Sequence, residues 1–292
     1  MARCSTDRAI AAVAGLELRD GRRVVVKAHQ PDQPRAVLAE LARLQAHVAV
    51  VARLAPQPLA GPLPFANGFA TIEEHDARGA TADAHDPVVR RAIAIALHEV
   101  VELLAPLAGD SRVPEHLLFS LPHDALWPRP HSRLFDFEAT RAGAEQIDAL
   151  AALARVALRP VGRNVLGHGD WRVEHFRFAG ARVVLAYDWQ SVCRCAEAAL
   201  IGFAAHAFCA DWSRDDPRQA PTLADARAFV ADYESARGEP FDRDERRLCG
   251  AAFTYSVAYT ARCGYAGGYR GHGVPGTFHH LLVEHGAELL AL

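Results

Sequence analysis

The chain has 292 residues, a formal net charge of −3, half its residues hydrophobic and 23% charged, the make-up of a globular protein with ample core. That balance argues against broad nucleic-acid binding, which goes with a strong basic excess or patch. No uncharged apolar run of eighteen residues is present to span a membrane, and the first seven residues lack the basic and apolar regions of a signal peptide.

A cytoplasmic location is therefore expected, with the six cysteines mostly reduced and acting as small buried hydrophobes. Taken in chain order, Asp7 to Val13 reads as helical. Leu16–Arg19 and Arg22–Lys27 read as a hairpin closed by Asp20-Gly21. Arg35–Leu44 is helical, with Val37, Leu41 and Leu44 on one face, and Phe69–His75 is a strand leading into a hinge. Pro87–Leu107 is a long amphipathic helix with Val89, Ile93, Leu97, Val100 and Leu104 facing a core. Pro122–Pro130 is a loop, and Ala142–Leu158 a second core helix. Cys195 to Phe208, Pro221–Arg237, Asp242–Cys263 and His279–Leu292 are further helices, with a glycine-rich loop at Gly264–Gly276.

The most informative segment is His168-Gly169-Asp170-Trp171-Arg172-Val173-Glu174-His175, followed by an apolar run ending Tyr187-Asp188-Trp189. Asn164–Gly167 reads as a strand entering this loop. Phe176–Phe178 and Arg182–Tyr187 read as a hairpin around Ala179-Gly180-Ala181. A hairpin returns the chain to its start, so Asp170, His175 and Asp188 should cluster at one end. Asp170 can then accept the proton of a substrate hydroxyl, while Asp188 holds a divalent cation on nucleotide phosphates. Arg172 suits equally a bidentate phosphate contact or a solvated loop arginine. His168 reads as structural, and Trp189 as packing beneath the Asp188 loop.

With these motifs the chain resembles the kinase-like phosphotransferases of the aminoglycoside phosphotransferase family, whose relatives include choline and fructosamine kinases. That family has a catalytic loop H-G-D-x-x-x-x-N and then a strand ending I-D-W or I-D-F; here His168-Gly169-Asp170 and Tyr187-Asp188-Trp189 match. The resemblance implies an α+β, two-lobed protein-kinase-like fold, with a small β-rich N-lobe over residues 1–75 and a larger, mainly helical C-lobe over 76–292. It implies Asp170 as catalytic base, Asp188 as metal ligand, ATP as phosphoryl donor with Mg²⁺ or Mn²⁺, and a small-molecule hydroxyl as acceptor. Lys27, the only lysine of the chain, closes a β-branched run as V-A-I-K does in protein kinases and would grip phosphates. Glu40 is its candidate partner. Glu73 lies where the hinge strand would meet an adenine ring.

Two departures stand out. His175 replaces the motif's Asn, offering an imidazole nitrogen where Mg²⁺ prefers oxygen. Only Gly15 precedes the hairpin turn, so the family's glycine-rich phosphate loop is missing and the first strand is expected to be absent or remodelled. The family's later acidic residue has only Glu197 near its position, either anchoring the catalytic loop or His168, or serving as a helix N-terminal carboxylate. Three functions fit: an ATP-dependent small-molecule phosphotransferase; a catalytically degenerate relative that binds nucleotide or metabolite; or a metal-dependent hydrolase with Asp170, His175 and Asp188 as ligands. A zinc site from His175, His206 and Cys209 is a minor alternative.

Overall fold

The structure is a computed structural model describing residues 11–122, 124–132, 134–213, 218–268 and 274–292. The Val24-Val25-Val26 run favours extended backbone and Gly21 takes the turn at φ 83°, so the chain folds back as β1 (Ala11–Glu17) and β2 (Arg23–His29). They pair antiparallel from Ala11 opposite His29 to Glu17 opposite Arg23. This corrects two expectations. Ala11–Val13 is strand rather than helix, because pairing with β2 overrides alanine's helical preference, and the first strand is a full seven residues long. Residues 7–10 lie outside the described residues.

α1 (Arg35–Val51) lays Leu38, Leu41, Leu44, Gln45 and Val48 into the protein interior. β3 (Pro58–Phe65) and β4 (Gly68–Glu74) complete an antiparallel sheet in the order β1-β2-β4-β3. β3 carries Pro58, Pro62 and Pro64, residues tolerated at a sheet edge because one side of the strand needs no N–H donors.

The rest of the chain is mainly helical. α2 (Pro87–Leu104) begins with Pro87 and is capped by Asp86, whose side chain accepts from the Val88 N–H; Ile93, Leu97, Val100 and Leu104 are fully buried, as their spacing predicts. α3 (Glu145–Ala157) leads to β5 (Asn164–His168), and β6 (Phe176–Ala179) pairs with β7 (Arg182–Ala186) around Gly180. β8 (Val192–Ala196) pairs antiparallel with β5, so the helix expected from Cys195 starts later, as α4 (Glu197–Ala207). α5 (Leu223–Arg237) and α6 (Arg243–Ala266) follow, α6 opened by a reciprocal cap between Asp242 and Glu245. The last helix is shorter than expected. α7 (Phe278–His285) ends at Gly286, φ 50°, and continues as a 3-10 turn to Ala291. Between sheet and helices, residue 80 bridges to Phe178 (2.9 and 2.7 Å), and the Tyr187 hydroxyl donates to the Asp76 carbonyl at 2.7 Å. No helix among the described residues is long and apolar enough to cross a membrane.

Two histidines tie this core to pH. His206 donates from Nδ1 to the Phe203 carbonyl and accepts at Nε2 from the Thr260 hydroxyl; His116 stacks on Phe203 at 4.1 Å. Burial pushes both imidazoles down to about 4. The unfolded chain therefore binds more protons between about pH 6.5 and 4, and the stability that neutral rings provide is complete above that window and is lost as pH falls through it. We expect Tm to fall by about 5 °C between pH 7 and 4.5, and the paired substitutions His116→Phe and His206→Gln to flatten the decline. A decline left unchanged by them would refute the assignment.

Candidate active site

The His168-Gly169-Asp170 loop is held from both sides. His168 is fully buried at the end of β5; its Nε2–H donates to the Tyr187 carbonyl at 2.9 Å, and its Nδ1 accepts the Asp170 N–H at 3.3 Å. One imidazole thus joins the loop carrying Asp170 to the loop carrying Asp188, and burial lowers its pKa to about 4. The Gly169 N–H donates to the Ser191 carbonyl at 2.9 Å. A Cβ on residue 169 would lie 3.0 Å from Cys193 Sγ and 3.1 Å from that carbonyl oxygen, which is why a glycine stands there. Trp171 is 1% exposed and donates from its indole to the Ile93 carbonyl, pinning the loop to α2. Trp189, equally buried, donates to Ala186. Asp188 adopts the left-handed conformation, φ 65° and ψ 40°, one that Asp tolerates better than most residues.

These anchors bring Asp170, His175 and Asp188 together: one donor atom from each lies within 4.8 Å of the others. His175 Nδ1 lies 3.0 Å from the Asp170 carbonyl oxygen, which can only accept, so Nδ1 carries the proton. Nε2 then presents a lone pair, and it meets Arg172 Nη2 at 3.2 Å. Arg172 reaches further. Nη2 donates to Asp170 Oδ2 at 2.8 Å, Nε lies 2.7 Å from Oδ1, and Nη1 lies 2.6 Å from Glu174 Oε1. Burial pushes the Asp170 carboxyl up, but the Arg172 charge and the neighbouring imidazoles outweigh it and hold it below the usual carboxylate value. Glu174 is shifted the other way, by its own burial and then by Asp211 and Asp170 against the pull of Arg172.

Lys27 is nearly buried, with Nζ 3.0 Å from Glu73 Oε1 and donating to Gln190 Oε1 at 3.3 Å. The Gln190 amide in turn donates to Asp188 Oδ1, and the Ser191 hydroxyl donates to Asp188 Oδ2 at 3.0 Å. The expected Glu40–Lys27 pair does not form. Glu40 instead takes Arg43 as partner, at 2.7 Å from Nη2, and those hydrogen bonds hold its carboxyl down at about 2. The residue of α1 that reaches the lysine network is Gln45, which shares a helix face with Leu38 and Leu41; Glu40 is turned about 100° from Leu41. Gln45 donates to Glu73 Oε2 at 2.8 Å and to the Pro56 carbonyl at 2.9 Å. The Glu73 side chain faces this network. Neither Gln45 nor Gln190 stands out in the sequence; the only signals are a polar residue four positions after Leu41 and another two after Asp188.

Glu197 is fully buried but holds neither His168 nor the catalytic loop. It pairs with Arg163 (3.1 Å) and Arg237 (3.4 Å) and accepts from the Tyr233 hydroxyl at 2.7 Å. The His175–His206–Cys209 zinc grouping does not assemble: His206 is engaged by Thr260 and Phe203, and Asp170, His175 and Asp188 form the only metal-competent cluster among the described residues.

No protein-family model and no curated protein matches the chain. Among solved structures it is similar to an amicoumacin kinase in complex with AMP-PNP, Ca²⁺ and Ami, at TM-score 0.64 and 11% identity over 90% of this chain and 80% of that one. It is also similar to an aminoglycoside-3'-phosphotransferase of type VIII (TM-score 0.54, 19% identity, 89% of this chain and 93% of that one). A choline kinase from Cryptosporidium parvum gives TM-score 0.53 and 12% identity over 99% and 92% of the two chains. The chain has the two-lobed kinase-like fold of these small-molecule phosphotransferases, with a β-sheet N-terminal region and a larger helical C-terminal part.

Proposed function

We propose that this chain, built on a kinase-like fold, is a phosphotransferase that moves the γ-phosphoryl group of ATP to a hydroxyl of a small molecule. The observation that carries the reading is the meeting of Asp170, His175 and Asp188 at the mouth of two loops, with Lys27 joined to the same place through Gln190. The neighbour solved with AMP-PNP and Ca²⁺ supports the use of a nucleotide with a divalent cation.

Each residue's part follows from its surroundings. The Asp170 side chain is 36% exposed, so an acceptor hydroxyl can reach it, and its low pKa keeps it ionised to receive the proton. Lys27 spends two of its three donors on Glu73 and Gln190, leaving one for a phosphate oxygen. Asp188 and His175 fit a divalent cation: the first offers a carboxylate, the second an Nε2 lone pair fixed by its Nδ1–H bond to the Asp170 carbonyl. A cation held there would neutralise charge on the phosphates. An imidazole beside carboxylates suits Mn²⁺ better than Mg²⁺.

The test is phosphorus NMR of the protein with ATP, Mn²⁺ or Mg²⁺, and a panel of hydroxylated small molecules. A phosphate monoester that forms only with metal supports the proposal. Inorganic phosphate at equal rates with and without acceptor would replace it with the hydrolase reading, and no consumption of ATP would favour a degenerate binder.

A further inference from the structure

We infer that Arg172 is a resident cation: its guanidinium sits where a divalent ion would bind, and Asp170 becomes free to act only when that guanidinium has moved off onto Glu174. The inference rests on the reading of His175 and Asp188 as the metal-holding pair, with Asp170 beside them as the base. Its ground is the position of a single nitrogen. Arg172 Nη2 touches two of the three converging donors, Asp170 Oδ2 at 2.8 Å and His175 Nε2 at 3.2 Å. Nε lies 2.7 Å from the other Asp170 oxygen without being aimed at it, so this nitrogen is buried yet has no hydrogen bond. A solvated loop arginine would not take that arrangement, since leaving a buried donor unsatisfied costs free energy. The side chain is 18% exposed and has been drawn into the cluster.

The neighbouring contact supplies the alternative position. Nη1 lies 2.6 Å from Glu174 Oε1, and Glu174 in turn accepts the Ser213 N–H at 3.2 Å through its other oxygen. Glu174 therefore keeps hold of one arm of the guanidinium while the other arm leaves Asp170 and His175. Two like charges cannot share the position, so metal occupancy and release of the Asp170 carboxylate become one event. The displaced guanidinium stays beside the place where charge develops during transfer, where its planar donors match phosphate oxygens.

Mn²⁺ titration of the nucleotide-free protein by electron paramagnetic resonance tests this, with thermal melts to confirm folding. Arg172→Ala should tighten Mn²⁺ binding at least tenfold. Arg172→Lys should tighten it about fivefold, because an ammonium keeps the charge but cannot bridge Asp170 and His175 together. If Arg172→Lys binds as the wild type does, whatever Arg172→Ala does, charge at a distance rather than occupancy is acting and the inference is overturned. Asp188→Asn separates the two claims. Weaker Mn²⁺ binding in that variant with no effect of Arg172→Lys would overturn the resident cation alone. No Mn²⁺ binding in any variant would overturn the metal-holding reading with it.

Discussion

Asp170→Asn is expected to lower phosphoryl transfer about a thousandfold while nucleotide affinity stays within about threefold of wild type. Asparagine keeps the shape of the side chain and can still accept from Arg172, and the bonds that build the loop go to backbone atoms: His168 Nδ1 takes the Asp170 N–H and His175 Nδ1 gives to its carbonyl. What is lost is the ionised oxygen that takes the proton. The loss should appear in kcat rather than in KM for the nucleotide, since the lysine network around Glu73, Gln45 and Gln190 contains no contact to Asp170. Transfer surviving within tenfold of wild type would remove Asp170 from the role of base.

Gly202→Ala should lower Tm by about 8 °C or more, a destabilisation of about 3 kcal/mol. Gly202 lies on α4 where that helix presses against α6. A Cβ there would stand 2.8 Å from the Ala252 Cβ and 3.0 Å from the Phe253 nitrogen, and would strike the Cys249 carbonyl, so backbone rather than a flexible side chain would have to move. α4 directly follows β8, the partner strand of β5, whose last residue is His168. Separation of the two helices should therefore also loosen the loop that carries Asp170. A melt of the variant by circular dichroism reads the first effect, and a Tm within 2 °C of wild type would show that the helices have room to part.

Parts of this arrangement are legible in the sequence because local chemistry fixes them. Asp20-Gly21 and Ala179-Gly180-Ala181 mark hairpin turns by supplying residues suited to positive φ. The spacing of Ile93, Leu97, Val100 and Leu104 marks a buried face whatever the helix packs on. The meeting of Asp170, His175 and Asp188 follows from the second hairpin. The identity of the Lys27 partner does not follow from spacing. It depends on which face α1 turns to the sheet, and Gln45, a buried amide there, reads in sequence as a surface residue. β3 is hidden by its three prolines, which only an edge position makes compatible with a sheet. β8 is hidden by the alanine-rich run after it, which extends the helical pattern backwards over Cys195 and Ala196. The seat of Arg172 between Asp170, His175 and Glu174 is a matter of rotamer and three-dimensional charge balance, which no linear pattern encodes.

Calorimetric titration of ATP into the wild type and Asp188→Asn, each with Mn²⁺, with Mg²⁺ and without metal, tests the central claim most directly. Asparagine is the substitution to use because it tolerates the left-handed backbone at this position while removing the charge. The account predicts ATP binding to the wild type that requires a divalent cation, is stronger with Mn²⁺ than with Mg²⁺, and falls at least tenfold in Asp188→Asn. Equal affinity of both proteins with and without metal, or no binding of ATP under any of the three conditions, would contradict it.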